Sequence, residues 1–256
     1  MSALAGRVVV ITGAAGGLGT ALARAFAREG CGLFLTDVRA DSLDRLVCEL
    51  ARGGAQVTGN AVDLATAAGA RSMIDAAVGA FGGIHVLVNN AAVSTSRSFW
   101  DLQEEDWDAV LQVNVKGLFF ALQAAARHMT ESGGSIINIA SVAGRAGRPA
   151  LLHYAASKAA VISITRSAAL ALAKSKVRVN AIEPGMIDTE MLHDLQANWA
   201  QSSNGNGAAA PSENLVPMGR IAQPEEIAAA ALFLAGEGAG YITGQTLNVC
   251  GGIVMS

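Results

Sequence analysis

Tyr154 and Lys158 stand four residues apart in a stretch with a strong helical pattern, and the chain's other tyrosine, Tyr241, has no such lysine. Residues i and i+4 share one face of a helix, so a phenol and an ammonium lie side by side. A free phenol ionises near pH 10 and is a poor base at neutrality; lowering its pKa by about three units takes roughly 4 kcal/mol. Opposite charges about 4 Å apart at an effective dielectric of about 20 supply around that amount. The pair can therefore exchange a proton near neutral pH as a general acid or base. The alternative, for the pair read alone, is a buried contact of purely structural purpose.

A second cluster suits phosphate. Thr12-Gly13-Ala14-Ala15-Gly16-Gly17-Leu18-Gly19 follows a short apolar run and leads directly into a helical pattern. Glycines allow a tight turn and a close backbone approach to a pyrophosphate, while the helix N-terminus adds unpaired N–H groups and partial positive charge. A glycine cluster alone is weak evidence, because many turns need glycine only for a positive φ. Its place between the first strand and the first helix favours a nucleotide. Asp37 ends the second strand run. A carboxylate there accepts hydrogen bonds from both ribose hydroxyls and repels a 2′-phosphate, selecting NAD over NADP. Val38 follows it and the glycine turn holds no basic residue; Arg39 is the exception, because its side chain can swing back.

Such residues must be brought together by a scaffold. Short β-branched runs at 8–11, 33–35, 57–62, 84–88, 136–139, 177–182 and 246–249 alternate with helical patterns at about 18–29, 41–52, 66–81, 104–130, 154–174 and 224–235. Strands apolar on both faces, alternating with helices, form a parallel sheet covered on both sides. The expected fold is α/β: a single doubly wound, Rossmann-type domain over residues 1–256, with a seven-stranded parallel sheet flanked by helices. The segment 201–212, QSSNGNGAAAPS, breaks the order. It reads as a mobile loop within a flexible substrate lid at about 186–219, or else as a solvated surface excursion.

At 256 residues, 52% apolar and 15% charged, the chain has material for a sizeable core. Its charge content is below the roughly 25% of average proteins, which points to surface covered by partner subunits. A net charge of −3 without any run of Lys or Arg gives no footprint for nucleic acid. The N-terminus reaches a strand pattern with no room for a signal peptide. No stretch approaches the roughly 20 apolar residues that span a bilayer, so a cytoplasmic protein without a membrane partner is expected. Cys31, Cys48 and Cys250 are scattered without metal-ligand spacing, and are expected as buried reduced thiols with no metal.

With these residues in view, nearly the whole chain resembles the short-chain dehydrogenase/reductase family. The family pattern T-G-x-x-x-G-x-G matches 12–19, and Y-x-x-x-K matches Tyr154 to Lys158. Asp63-Leu64, Asn89-Asn90-Ala91-Ala92, Asn114, Ser141 and Pro184-Gly185-Met186-Ile187-Asp188-Thr189 match further family segments in order, and Gly251-Gly252 closes the last strand. The resemblance implies hydride transfer between NAD and an alcohol or ketone carbon, with Asn114, Ser141, Tyr154 and Lys158 as the catalytic set. Tyr154 would exchange the proton, Lys158 would hold the nicotinamide ribose and depress the tyrosine pKa, and Ser141 would orient the substrate oxygen. Asn114 would anchor a water leading to solvent. Cofactor contacts would come from Gly13, Gly17, Leu18, Gly19, Asp37, Asp63, Leu64, Asn90, Ala91, Tyr154 and Lys158, with Ile187 and Thr189 gripping the carboxamide.

The chain also departs from the family. Ala92 stands where the family has glycine, Cys250 where it commonly has aspartate, and Glu183 where a small residue is usual. Glu183 is expected either to bind a substrate hydroxyl or to pair with a nearby arginine. Substrate contacts are expected from Ser94, Ser141, His153, Tyr154 and Glu183. That mix suits a small polyol, and the stretches around 154–180 and 251–256 look like the family's sugar-alcohol dehydrogenases. A 3-oxoacyl-thioester or other ketone reductase is the runner-up. A non-enzymatic rival, an NAD-sensing regulator, should lack at least one of the four catalytic residues, and all are present. The helical pattern at 154–174 is apolar nearly all round, so a homo-oligomer, with a tetramer favoured, is expected.

Overall fold

The computed structural model describes residues 3–202 and 212–255. Seven strands, β1 (Val8–Thr12), β2 (Gly32–Asp37), β3 (Val57–Ala61), β4 (Val86–Asn89), β5 (Gly134–Ile139), β6 (Val177–Pro184) and β7 (Thr246–Val249), form one sheet in the order β3-β2-β1-β4-β5-β6-β7. Every neighbouring pair is parallel. The helices are α1 (Gly17–Arg28), α2 (Ala40–Arg52), α3 (Ala67–Phe81), α4 (Glu104–Leu111), α5 (Leu118–Met129), α6 (Leu152–Leu172), α7 (Glu190–Ser202) and α8 (Pro224–Ala235).

Alternation along the strands explains the two-sided cover. Val9 and Ile11 of β1 pack with Leu22 and Phe26 of α1, Leu43 of α2 and Ile227 of α8. Val10, one residue between them, points the other way, to Met73 and Ile74 of α3 and Leu122 and Met129 of α5. A strand buried on both faces has no polar positions to spare, which is why the runs read as continuously apolar. The doubly wound α/β architecture expected from the sequence is the one found. From β1 the chain steps to β2 on one side and returns to β4 on the other. Ligands of such sheets bind in the crevice at the carboxyl ends of the strands flanking that reversal.

Four expectations need correction. The pattern at 104–130 is not one helix: a π-helical turn, Gln112–Gly117, separates α4 from α5 and carries Asn114. Helix α7 was absent from the expected elements; among its residues with described side chains only Leu192 is buried, so its apolar period is weak. Of the loop expected at 201–212, residues 201 and 202 belong to α7, 212 is described, and 203–211 lie outside the described residues. Finally, the helical runs Glu104–Met129 and Pro149–Ser175 are long and apolar enough to cross a membrane by length and composition. The expectation looked for uninterrupted apolar runs, whereas these runs interleave polar residues and a few charges, and less than half of each apolar window is buried. Cys31 and Cys250 are buried as expected, while Cys48 is exposed.

Candidate active site

The crevice begins where β1 gives way to the glycine turn. Thr12 Oγ1 accepts from the backbone N–H groups of Asn90 and Ala91, both at 3.0 Å, and Asn90 Nδ2 donates back to the carbonyls of Thr12 at 2.9 Å and Gly13 at 3.0 Å. The ends of β1 and β4 are thereby locked together at the reversal. Gly13 takes φ 64°, and a Cβ there would lie 2.7 Å from Ala91 Cα. A Cβ on Gly19 would run into the carbonyl oxygen of Gly13 itself. Both glycines are therefore required by close backbone packing.

Helix α1 leaves this turn with Gly16 as its N-cap, no side-chain cap and no acidic residue in its first turn. Helix α3 is capped by Thr66, and α4 and α8 carry capping boxes. Amides in the first turn of α1 thus lack a side-chain acceptor, as those of α2 and α6 also do, and behind the glycine turn they suit a pyrophosphate. Leu18 is buried beneath the turn. Asp37, 7% exposed, accepts from Ala15 N at 3.0 Å through Oδ2, and from Arg39 N at 3.0 Å and Nε at 3.2 Å through Oδ1. Arg39 has swung back: it pairs with Asp37 and reaches Glu190 at 3.5 Å. Thr189, at the start of α7, stands so close to Gly17 that a Cβ there would be 2.9 Å from its Cγ2. Ile187 is tied by a parallel bridge to Ala222. Asp63 Oδ1 accepts from Ala65 N at 2.9 Å, and Leu64 is buried.

The chemical end lies on β5, the π turn and α6. Ser141 follows β5, and its Oγ accepts from Ala143 N at 3.1 Å. The Ser141 side chain stands near enough to the Tyr154 hydroxyl to lower its pKa. Lys158 is 2% exposed, donates from Nζ to the Ile139 carbonyl at 2.7 Å, and sits 5.6 Å from the centre of the Tyr154 ring. Asn114 Oδ1 accepts from Val93 N at 2.8 Å, and its Nδ2 donates to Val93 O at 2.9 Å and Ser157 Oγ at 3.1 Å. That side chain staples the segment after β4, so a water relay to Lys158 would use other atoms of the π turn.

The electrostatic expectation for the pair is corrected. Burial pushes the Tyr154 phenol up, opposed by the nearby Ser141 side chain, although part of the Tyr154 side chain reaches the surface. Burial lowers Lys158 from 10.5 to about 8. Both charged forms lose hydration on burial, and that is the largest influence on each. Since the folded pKa of Lys158 is depressed, its ammonium is penalised in full below pH 8. The penalty fades between pH 8 and 10.5, where the unfolded chain holds a proton that the folded chain has released. A drop of this size is roughly 3 kcal/mol, and losing the bond to Ile139 gives back about 1 kcal/mol. Lys158→Met should therefore raise the Tm at pH 7 by on the order of 4–8 °C for a chain this size, and by much less at pH 10. Melts showing no gain at pH 7 would refute this account.

His153 is fully buried, its Nε2 lies 2.8 Å from Thr95 Oγ1, and burial lowers its pKa, keeping the ring neutral. Ser94 Oγ and His153 Nδ1 are buried without a hydrogen-bond partner among the described residues. Glu183, fully buried, takes the second of its two expected roles: Arg145 Nε donates to its carboxylate at 2.7 Å. From the sequence, Thr12 stands inside a recognised motif, Thr95 falls within a stretch expected to line the substrate pocket, and Arg145 lies in another such stretch without a role of its own; Ser157 carries no spacing that marks it. A cavity of about 510 Å³ opens between Met186, Val216, Met218 and the strand end at Cys250; none of the four expected catalytic residues lines it.

A family model described as enoyl-(acyl carrier protein) reductase matches residues 13–254. The 3-oxoacyl-(acyl-carrier-protein) reductase of Thermotoga maritima is 38% identical over 253 residues, covering 98% of this chain and 99% of that protein. Galactitol 2-dehydrogenase of Agrobacterium fabrum is 40% identical over 255 residues, covering 98% of each. Among solved structures, a short-chain type dehydrogenase/reductase from Mycobacterium marinum superposes with a TM-score of 0.88 at 33% identity, covering 99% of this chain and 97% of that one.

Proposed function

The chain belongs to the short-chain dehydrogenase/reductase family and is a nicotinamide-dependent oxidoreductase; from that premise we propose that it oxidises a secondary alcohol of a small polyol, with NAD as acceptor. The observation that carries the reading is Tyr154 standing beside Ser141, with the Lys158 ammonium one helical turn away and 5.6 Å from its ring. The bound dinucleotide supplies the hydride acceptor. Ser141 and Tyr154 hold the substrate oxygen. Tyr154, brought to the phenolate against its burial by the Lys158 ammonium and the positive charge that an oxidised nicotinamide would add, takes the proton as the carbonyl forms. Lys158, anchored on Ile139 O, keeps an ammonium beside the phenol and within reach of a ribose. Gly13, Gly17, Leu18, Gly19, Asp63, Leu64, Asn90 and Ala91 would form the rest of the dinucleotide cleft, with Ile187 and Thr189 at its nicotinamide end.

Preference for NAD is supported by the placement of Asp37, whose carboxylate ends β2 beside the turn, and by Arg39 being already paired with Asp37 and Glu190. Charged hydrogen bonds are worth about 1.5–3 kcal/mol each. Asp37→Ala should accordingly lower kcat/KM with NAD about 10- to 100-fold and raise the relative use of NADP. An unchanged NAD/NADP ratio would remove Asp37 from the selection.

A polyol is supported by the buried, unpartnered Ser94 hydroxyl and by Thr95 and His153 beside Tyr154. The Thermotoga maritima relative favours a second reading, 3-oxoacyl-thioester reduction. Absorbance at 340 nm with galactitol, threitol, sorbitol and a 3-oxoacyl thioester, each with both cofactors, separates the two. Turnover of the thioester alone would discard the polyol reading. Leu170 (84% exposed), Phe233 and Tyr241 leave apolar surface on α6 and around α8, which supports a homo-oligomer, with a tetramer favoured.

A further inference from the structure

β5 and β6 run in register as far as Ile139 and Ile182, and the last backbone bond between them is Ala140 N to Ile182 O at 2.8 Å. Beyond it the two chains part. The first enters the short 3₁₀ turn Val142–Gly144 that follows Ser141. The second continues as Glu183 and Pro184, paired to Asn248 and Val249 of β7, and then turns toward Ile187 and Thr189. Among the described residues, the only hydrogen-bonded or ionic link between these diverging segments is Arg145 Nε on the Glu183 carboxylate, at 2.7 Å.

We propose that Arg145 and Glu183 are positioning residues that fix the Ser141 turn relative to the loop after β6, and so set the separation between the substrate carbon and the nicotinamide. This rests on the function proposed above, in which Ser141 holds the substrate oxygen and Ile187 and Thr189 hold the carboxamide. Glu183 is fully buried and Arg145 only 26% exposed on its side chain. A buried ion pair adds little net stability over apolar residues of similar volume, so stability does not explain why a carboxylate occupies this point of the core. Geometry does. A charged bond from Nε holds a single distance and direction between two chain segments with no backbone ladder left between them, one following Ser141 and the other leading to Ile187 and Thr189. Hydride transfer is sensitive to such spacing: a misplacement of about 1 Å can cost 10²-fold in rate.

The test compares the wild-type protein with an Arg145→Met/Glu183→Met double variant, in which the buried pair becomes apolar. Glu183→Gln, nearly isosteric, provides the same readings if the double variant does not fold. Single-turnover absorbance at 340 nm gives the hydride-transfer rate with NAD and galactitol, threitol or sorbitol, whichever the wild type oxidises best; NADH fluorescence gives cofactor affinity. The expected result is a hydride-transfer rate 10- to 100-fold lower, with KM and NADH affinity within about threefold of wild type. A folded variant with wild-type hydride transfer overturns the proposal, as does a loss of NADH affinity larger than the loss of rate. Neither result touches the proposed function, whereas a wild type inactive on every alcohol with either cofactor overturns that function and this inference together.

Discussion

Replacing Tyr154 by phenylalanine is expected to lower kcat about 10³-fold while leaving NADH affinity within a factor of three. The substitution removes one oxygen and keeps the ring that packs 5.6 Å from the Lys158 ammonium, so the crevice keeps its shape. What is lost is the hydroxyl beside Ser141, proposed both to hold an alcohol oxygen and to take its proton. General acid–base catalysis contributes about 10²–10⁴. Ser141 retains a hydroxyl but is already an acceptor for Ala143 N, and Lys158 is committed to Ile139 O, so neither can substitute. The variant is assayed at 340 nm with the best alcohol of the panel, and its affinity read from NADH fluorescence. A kcat within tenfold of wild type would remove Tyr154 from the proton transfer.

The second large effect belongs to Gly19→Ala. A methyl group there meets the carbonyl oxygen of Gly13 and the Cα of Ala14, both backbone atoms that cannot step aside. The turn has to open, carrying Gly13 away from Ala91 and the first amides of α1 out of line. Overpacking of this kind costs about 1–3 kcal/mol, and here it falls on the amides proposed to face a pyrophosphate. NADH affinity should drop about 100-fold. The core side of α1, with Leu22 and Phe26 fully buried, should keep the fold. Gly79→Ala on α3, where a Cβ meets nothing within 4 Å, serves as the control and should bind as wild type does. Equal affinity for Gly19→Ala and the control would show that the turn is not the binding element.

The scaffold was legible because its strands are buried on both sides: Val9 and Ile11 face one helical layer and Val10 the other, so the runs stand out from the helices between them. The π turn was not legible. Shifting the bonding register by one residue around Asn114 changes neither composition nor the apolar period, and 104–130 reads as one helix. Helix α7 was hidden for the opposite reason, because among its described side chains only Leu192 is buried, too little for a period to emerge. Glu183 announced itself as a charge in a place meant for a small residue, yet its partner could not be chosen. Arg145 and Arg148 both follow Ser141 in the sequence, and only the folded 3₁₀ turn brings the first to the end of β6. The site was legible as a set of residue types at fixed spacings. Its electrostatics were not, since the burial that lowers Lys158 and raises Tyr154 exists only once the chain is packed.

The bare N-terminus of α1 has a consequence for the lifetime of the protein. Helices α3, α4 and α8 complete their first turns with their own side chains; α1, like α2 and α6, does not, and at its glycine turn a bound anion would take that place. Anything that binds the native chain and not the unfolded one shifts the balance toward the native form in proportion to its concentration. Chains that meet their nucleotide soon after synthesis would then resist heat and proteolysis best, and abundance would follow supply of the coenzyme.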